Sequence, residues 1–150
     1  MQRAIAQFKA TLESAGADAA LKFLNDGVPH RYSAIYRLTG GKLTNLAIFD
    51  KAGEARPEFL AVVPFETSFC QFVIRDGAFR TSDSASDPRL DGHPYQGVMV
   101  SYHGVPIVMD GEVWGTLCHF DVKEMPLAED EFELLREAAC ALPPWAAAND

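Results

Sequence analysis

The clearest hydrophobic pattern lies between Tyr102 and Asp121, YHGVPIVMDGEVWGTLCHFD. Two apolar runs flank Asp110-Gly111, the kind of dipeptide that best tolerates the positive φ angles of a two-residue hairpin turn. On the first arm Val105, Ile107 and Met109 share a face. On the second, Trp114, Thr116, Cys118 and Phe120 fall on one face and Val113, Gly115, Leu117 and His119 on the other. A two-residue turn then sets Ile107 opposite Trp114, Val105 opposite Thr116 and His103 opposite Cys118. Both faces are largely apolar and both need cover. This predicts a central sheet layered with helices rather than a one-sided surface hairpin.

The rest of the chain supplies those layers. Residues 2–25 carry a helical stripe of Ile5, Phe8, Leu12, Ala15 and Ala19, weakened at Gly16. They read as one kinked helix or as two, the second capped by Asp18 and ending at Asn25-Asp26-Gly27. Strands are expected over 31–38 and 43–50, turning at Gly40-Gly41, and over 60–65 after the polar loop KAGEARPEF. Residues 66–76 fit a short helix. Thr67 or Ser68 offers a cap, Phe69, Phe72 and Val73 share a face, and Gly77 stops it. A strand at 78–82 leads into the loop SDSASDPRLDGHPYQG, which has a helical turn at Pro88–Asp91. Loops of this length in a compact domain are usually functional or disordered.

After the hairpin, a helix over 128–142 starts behind Pro126. Glu129, Asp130 and Glu131 sit where the helix dipole favours negative charge, and Phe132, Leu135, Ala139 and Leu142 form the stripe. Pro143-Pro144 ends it, and the tail WAAAND reads as loose. The order helix, strands, crossover, strands, helix is α+β, with an antiparallel sheet of five to six strands.

With 150 residues, 48% of them hydrophobic, one domain over 1–150 is expected, with an N-terminal helical segment at 1–27. No apolar run approaches the roughly 20 residues of a membrane span, and the charged N-terminus lacks a signal-peptide core, so the cytoplasm is the default location. A net charge of −8 and a pI near 4.9 argue against nucleic acid and anionic membranes as main partners. Three scattered cysteines, Cys70, Cys118 and Cys140, do not make a disulfide framework and fit reduced thiols.

Four blocks carry a family resemblance. They are Ser68-Phe69-Cys70, the run Asp83-Ser84-Ala85-Ser86-Asp87-Pro88-Arg89-Leu90, the run Tyr102-His103-Gly104-Val105-Pro106-Ile107, and the stretch from Gly111 to Asp121 containing Gly115-Thr116-Leu117-Cys118. In this order and spacing they resemble a GAF domain, most closely the sub-type found ahead of histidine kinases and cyclic-dinucleotide enzymes. The resemblance implies a six-stranded GAF/PAS-like antiparallel sheet. Terminal helices lie on one face, often pairing with a second copy, and short helices and the long loop enclose a pocket on the other. It also implies a sensory or regulatory domain that binds a small molecule. With no output domain following, such a domain acts through homodimerisation or a separate signalling protein.

Two alternatives stand beside that reading. One is an enzyme similar to the free methionine-(R)-sulfoxide reductases. That family carries a cysteine in the long loop, which 82–97 lacks, and an acidic pair where Cys118 and Phe120 stand here. The other is a ligand-free adaptor with a filled pocket. Two further departures from the family pattern are His103, where a small residue is usual, and Val122-Lys123-Glu124, where Pro-Arg is common.

The candidate ligand-binding set is Phe69, Cys70, Asp83, Tyr95, Tyr102, His103 and Cys118. Tyr95 and Tyr102 have the apolar body and polar tip common in small-molecule pockets. His103 would line or plug the pocket as a pH-sensitive donor. Cys70, near a helix start beside Phe69, reads either as a reactive thiol or as core. Asp83, Asp87 and Arg89 order the long loop, either over a ligand or by bonding their own backbone. Cys118-His119 matches the residue pair used for bilin attachment, but neighbours on a strand point to opposite faces. No closed-site metal spacing is present, so no metal is expected. No catalytic residue or cofactor is identified.

Overall fold

The structure is a computed structural model and describes residues 4–149. Asp110 and Gly111 both take positive φ, 53° and 80°, so the hairpin turn is of the expected type. It joins β5 (Ser101–Met109) to β6 (Glu112–Asp121). The register beyond the turn departs from the expected one. Val108 faces Val113, but Ile107 then faces Gly115 and Trp114 is an extra residue, a β-bulge. Val105 therefore faces Leu117, and His103 faces His119 rather than Cys118. The bulge also moves Trp114 onto the face of Leu117, while Cys118 and Phe120 keep the opposite face.

Six strands form one antiparallel sheet in the order β3-β2-β1-β6-β5-β4, the others being β1 (Tyr32–Thr39), β2 (Lys42–Asp50), β3 (Val62–Pro64) and β4 (Phe79–Thr81). Gly115 lies opposite Arg37 of β1. A Cβ there would sit 2.0 Å from the Tyr36 carbonyl oxygen. Only glycine lets the bulged strand approach its neighbour this closely. At the other end of the hairpin, the buried Asp121 carboxylate accepts the Arg31 amide at 2.8 Å and the Lys123 amide at 3.1 Å, tying the start of β1 to the end of β6.

One face of the sheet is covered by α1 (Ile5–Ala15) and α2 (Ala17–Asp26) together with the two C-terminal helices. The N-terminal segment is thus two helices, and Gly16, not Asp18, stands at the N-cap of the second. The other face carries the short helix α3 (Cys70–Asp76). The C-terminal pair is α4 (Glu129–Ala141) and α5 (Pro143–Ala148). The tail is therefore not loose. Pro143 and Pro144 open a new helix, a position where a missing N–H costs nothing, and Trp145 sets its ring edge-on to Trp114 at 6.2 Å. The core on this side centres on Phe8, Leu21, Leu24, Ile35, Leu117 and Leu135, all essentially inaccessible.

A buried polar pocket interrupts that core. His30, His103 and His119 are all buried, with ring centroids 5.1 Å and 6.0 Å from His30. Ser33 and the His119 Nδ1 lie 2.6 Å apart, and Asn25 donates to Ser33 at 2.8 Å. Among the described residues, neither ring nitrogen of His30 nor Nδ1 of His103 has a partner at full hydrogen-bond geometry, the Met125 carbonyl being the backbone acceptor near His30. Burial holds both imidazoles down at about 4, from an ordinary 6.5. Asp121, Lys51 and the Met125 carbonyl act on His30; His103 feels His30, Arg80 and the same carbonyl.

Two outcomes follow from this arrangement. Gly115→Ala should cost roughly 1–3 kcal/mol or more, because the Cβ meets backbone rather than a movable side chain; equilibrium urea unfolding measures it. Below pH 6.5 the unfolded chain takes up protons that the folded His30 and His103 refuse until about pH 4. Stability should therefore fall as pH drops through that window, by up to about 1.4 kcal/mol per pH unit for each histidine. His30→Leu should shallow the slope of unfolding free energy between pH 6.5 and 4.5. An unchanged slope would remove His30 from the account.

Candidate ligand-binding site

The second face of the sheet is aromatic because strand alternation puts Tyr32, Ala34 and Tyr36 of β1 on it, with Tyr102 of β5 and Cys118 and Phe120 of β6. Tyr102 depends on Gly104 two residues on. A Cβ at Gly104 would fall 2.7 Å from the Tyr102 ring, so the glycine leaves room for that ring to lie along the sheet. The phenol then reaches the Cys70 thiol at 3.1 Å, and the thiol also lies 3.3 Å from the Thr116 hydroxyl. Cys70 is delivered by α3. There Ser68 starts the turn by donating to the Phe65 carbonyl at 2.7 Å and accepting the Gln71 amide at 3.3 Å.

Between sheet, α3 and loops is a cavity of about 60 Å³. Its floor is Tyr36, Leu43, Tyr102 and Phe120; Phe69, Cys70 and Met99 form one wall. Phe59 and Tyr95, from two separate loops, close the mouth with rings near parallel and 6.5 Å apart; Phe59 is 47% exposed. The lid around Phe59 is latched from the sheet. The Tyr36 hydroxyl donates to the Leu60 carbonyl at 2.9 Å, and the Asn45 amide donates to the Ala61 carbonyl at 2.9 Å. Arg56 holds the Asn45 side-chain oxygen at 3.0 Å.

The long loop builds itself. Asp83 accepts the Ala85 amide at 3.2 Å and the Ser86 hydroxyl at 2.9 Å. Asp87 accepts the Arg89 amide and guanidinium, and that pairing pulls its carboxyl down to about 2. Ser84 is buried, donating to the Met99 carbonyl at 2.7 Å and accepting the Gly97 amide at 2.9 Å. Two 3₁₀ turns result, at Ser84–Ser86 and Pro88–Leu90, and Leu90 anchors them in the aromatic core.

Of the residues expected at the site, Phe69, Cys70, Tyr95 and Tyr102 meet on the cavity wall. Cys118 is buried in the same cluster beneath them, its thiol 3.7 Å from the Ala34 carbonyl, and does not line the cavity. Asp83 is spent on its turn. His103 is a correction: on β5 it shares a face with Val105 and Ile107, so it lies among the helices, on the far side of the sheet. Sequence reasoning missed Tyr36, Leu43, Phe59, Leu60 and Met99. Tyr32 and Tyr36 at strand spacing carried a usable signal. Phe59 carried none, lying in a stretch read as polar loop.

The site is chemically quiet. Burial pushes the Cys70 thiol up and the Cys118 thiol well up, so both remain protonated, although a helix start alone would lower Cys70. Burial also keeps the Tyr36 and Tyr102 phenols neutral. Among the described residues, no group of three or more His, Cys, Asp or Glu is placed to hold a metal ion, and no helix is long and apolar enough to cross a membrane.

The family model for the GAF domain matches residues 10–142, so the chain belongs to the GAF domain family. No curated protein matches it. Among solved structures, it is similar to the GAF domain of an Acinetobacter phosphoenolpyruvate-protein phosphotransferase, with TM-score 0.76, 16% identity, and coverage of 96% of this chain and 90% of that one. It is similar to a putative GAF sensor protein from Burkholderia vietnamiensis, with TM-score 0.74, 16% identity, and coverage of 97% and 94%. It is also similar to the free methionine-R-sulfoxide reductase from Neisseria meningitidis solved with its substrate, with TM-score 0.74, 17% identity, and coverage of 97% and 88%. At these identities the likeness is one of fold.

Tyr36→Phe should release the lid by leaving the Leu60 carbonyl without its donor, at a cost of about 1–2 kcal/mol. Hydrogen exchange followed by mass spectrometry should show faster exchange at residues 58–62 with α4 unchanged. Equal protection in both proteins would mean that the hydroxyl does not hold the lid.

Proposed function

We propose that this GAF domain is a sensory or regulatory module. It holds a small molecule in the cavity beneath Phe59 and Tyr95 and passes occupancy on through a second copy of the chain or a separate partner protein. The observation that carries this reading is the partly open aromatic cavity between the sheet and the segment latched over it. A ligand there would press on the Phe59–Tyr95 closure and, through the Tyr36–Leu60 hydrogen bond, on the central strand β1. The effect requires the ligand to favour one lid position over the other.

The enzymatic reading has less support. The likeness to a sulfoxide reductase is one of fold, Cys70 and Cys118 are protonated and enclosed, and the exposed Cys140 sits on α4 with Ile5 and Lys9, across the sheet from the cavity. The ligand-free adaptor has one observation in its favour. At about 60 Å³ the cavity is well below the several hundred Å³ of common ligand sites.

Native mass spectrometry of the protein purified from cells, compared with its denatured mass, separates the two. The sensory reading expects an added mass that denaturation releases. A protein that is bare in every preparation and gains no thermal stability across a metabolite library would favour the adaptor.

A further inference from the structure

We propose that the cavity selects a neutral, mostly apolar molecule of at most one substituted aromatic ring, carrying a single hydroxyl or similar group, and rejects anions and cations of the same size. This rests on reading the cavity as a ligand site and narrows that reading to a chemical class.

Charge selection follows from the wall. None of the residues lining the cavity is Asp, Glu, Lys, Arg or His. The polar groups that reach it are mostly spent on the protein. The Tyr36 hydroxyl donates to Leu60, the Ser68 hydroxyl donates to Phe65, and the Cys70 thiol lies between Tyr102 and Thr116. The thiol and both phenols are held neutral by burial. A carboxylate or phosphate would lose its water and meet no cation in the lining; Arg56, whose charge reaches Tyr36, is held on the Asn45 side-chain oxygen, so the penalty is large.

The rings do not make a cage for an ammonium group either. Phe69 meets Tyr102 edge to face at 5.6 Å, and Tyr102 stacks on Phe120 at 6.4 Å, so these rings are engaged with one another rather than aimed at a common centre. What remains open is the Tyr102 oxygen. It lies against the Cys70 thiol at 3.1 Å and also engages the Cys118 thiol, and with one donor and two acceptor lone pairs it keeps one position for a ligand hydroxyl.

Size follows from volume. About 60 Å³ holds on the order of four water-sized probes at ~10–15 Å³ each. A six-membered ring fits only if the lid gives way, and the residues free to move are those at the mouth, half-exposed Phe59 and its partner Tyr95.

The test uses three probes of one shape: benzyl alcohol, benzoate and benzyltrimethylammonium, each titrated into the isotope-labelled protein and followed by amide chemical shifts. Benzyl alcohol should shift Leu43, Leu60, Cys70 and Met99, with Kd at least tenfold below that of either ion. Val63→Phe, which narrows the cavity from its rim on β3, should raise that Kd at least fivefold. Benzoate or the ammonium binding as tightly would overturn the class, as would benzyl alcohol shifts that map elsewhere or persist unchanged in the folded Val63→Phe variant, or failure of all three probes to bind. If native mass spectrometry then yields a charged ligand seated in the cavity, the class fails and the site stands; if the protein is bare in every preparation and none of the three probes binds, both fail.

Discussion

The contact on which the rest of this structure depends is the approach of Gly115 to the Tyr36 carbonyl. A strand with one extra residue must either leave its ladder or crowd its neighbour. Here β6 crowds β1, and the missing side chain at 115 absorbs the collision. The extra residue changes the phase of everything on one side of it. Trp114 goes to the helix layer, where Trp145 meets it. From Thr116 onward the strand keeps the opposite alternation, which lays Phe120 beside Tyr102 and puts Cys118 beneath the aromatic cluster. Without the bulge, the hairpin would present either a tryptophan to the cavity or a histidine to the floor.

The two faces of the sheet are thereby given unlike chemistry. On the helix side, His30, His103 and His119 form a buried polar layer with Asn25, Ser33 and Asp121. Much of it is satisfied by backbone, as at the Arg31 amide, but part is not. Incomplete satisfaction of this kind makes a core sensitive to conditions, because a neutral imidazole is tolerated and a charged one is not. On the other side, nearly every polar atom has a protein partner and the surrounding walls are hydrocarbon or ring. A cavity whose polar groups are already engaged offers a ligand shape and little else. On the proposed reading as a ligand site, it would discriminate by charge and volume more than by a pattern of hydrogen bonds.

How much of this was legible depended on the range of the interaction. Asp110-Gly111 announced its turn because the demand for positive φ is local. The stripes Ile5-Phe8-Leu12 and Phe132-Leu135-Ala139 announced helices for the same reason. The four GAF-like blocks fixed the family and the six-stranded sheet. Their residues have physical duties: Ser68 starts α3, Asp83 and Asp87 fold their own turns, Gly104 makes room for Tyr102, and Asp121 ties two strand ends. The bulge was not legible. It is a relation between β6 and β5, accommodated by the close approach of Gly115 to β1, and a glycine in a strand announces only that something comes close. Reading the hairpin without it sent His103 to the wrong partner, and taking Tyr102's neighbour as a pocket residue sent it to the wrong face. Phe59 was hidden because its role comes from a lid closing over a distant strand, which leaves no periodicity. The expected helix over 128–142 is α4, but α5 was missed because Pro143-Pro144 both ends one helix and is well suited to begin the next.

Tyr102 is where these constraints meet. Its ring needs Gly104, its hydroxyl sits against a thiol carried by α3, its face stacks on Phe120, and it floors the cavity. A displaced Tyr102 would therefore disturb the helix, the sheet and the site together, whereas displacing Phe59 or Tyr95 disturbs only the mouth. The fold thus separates a floor carried by the sheet from a roof carried by loops. The roof includes the segment from Gly53 to Ala61, which is bonded to β1 and β2 through Tyr36 and Asn45. Those two strands run directly beneath α2, so a shift at the lid has a continuous bonded route to the helical layer.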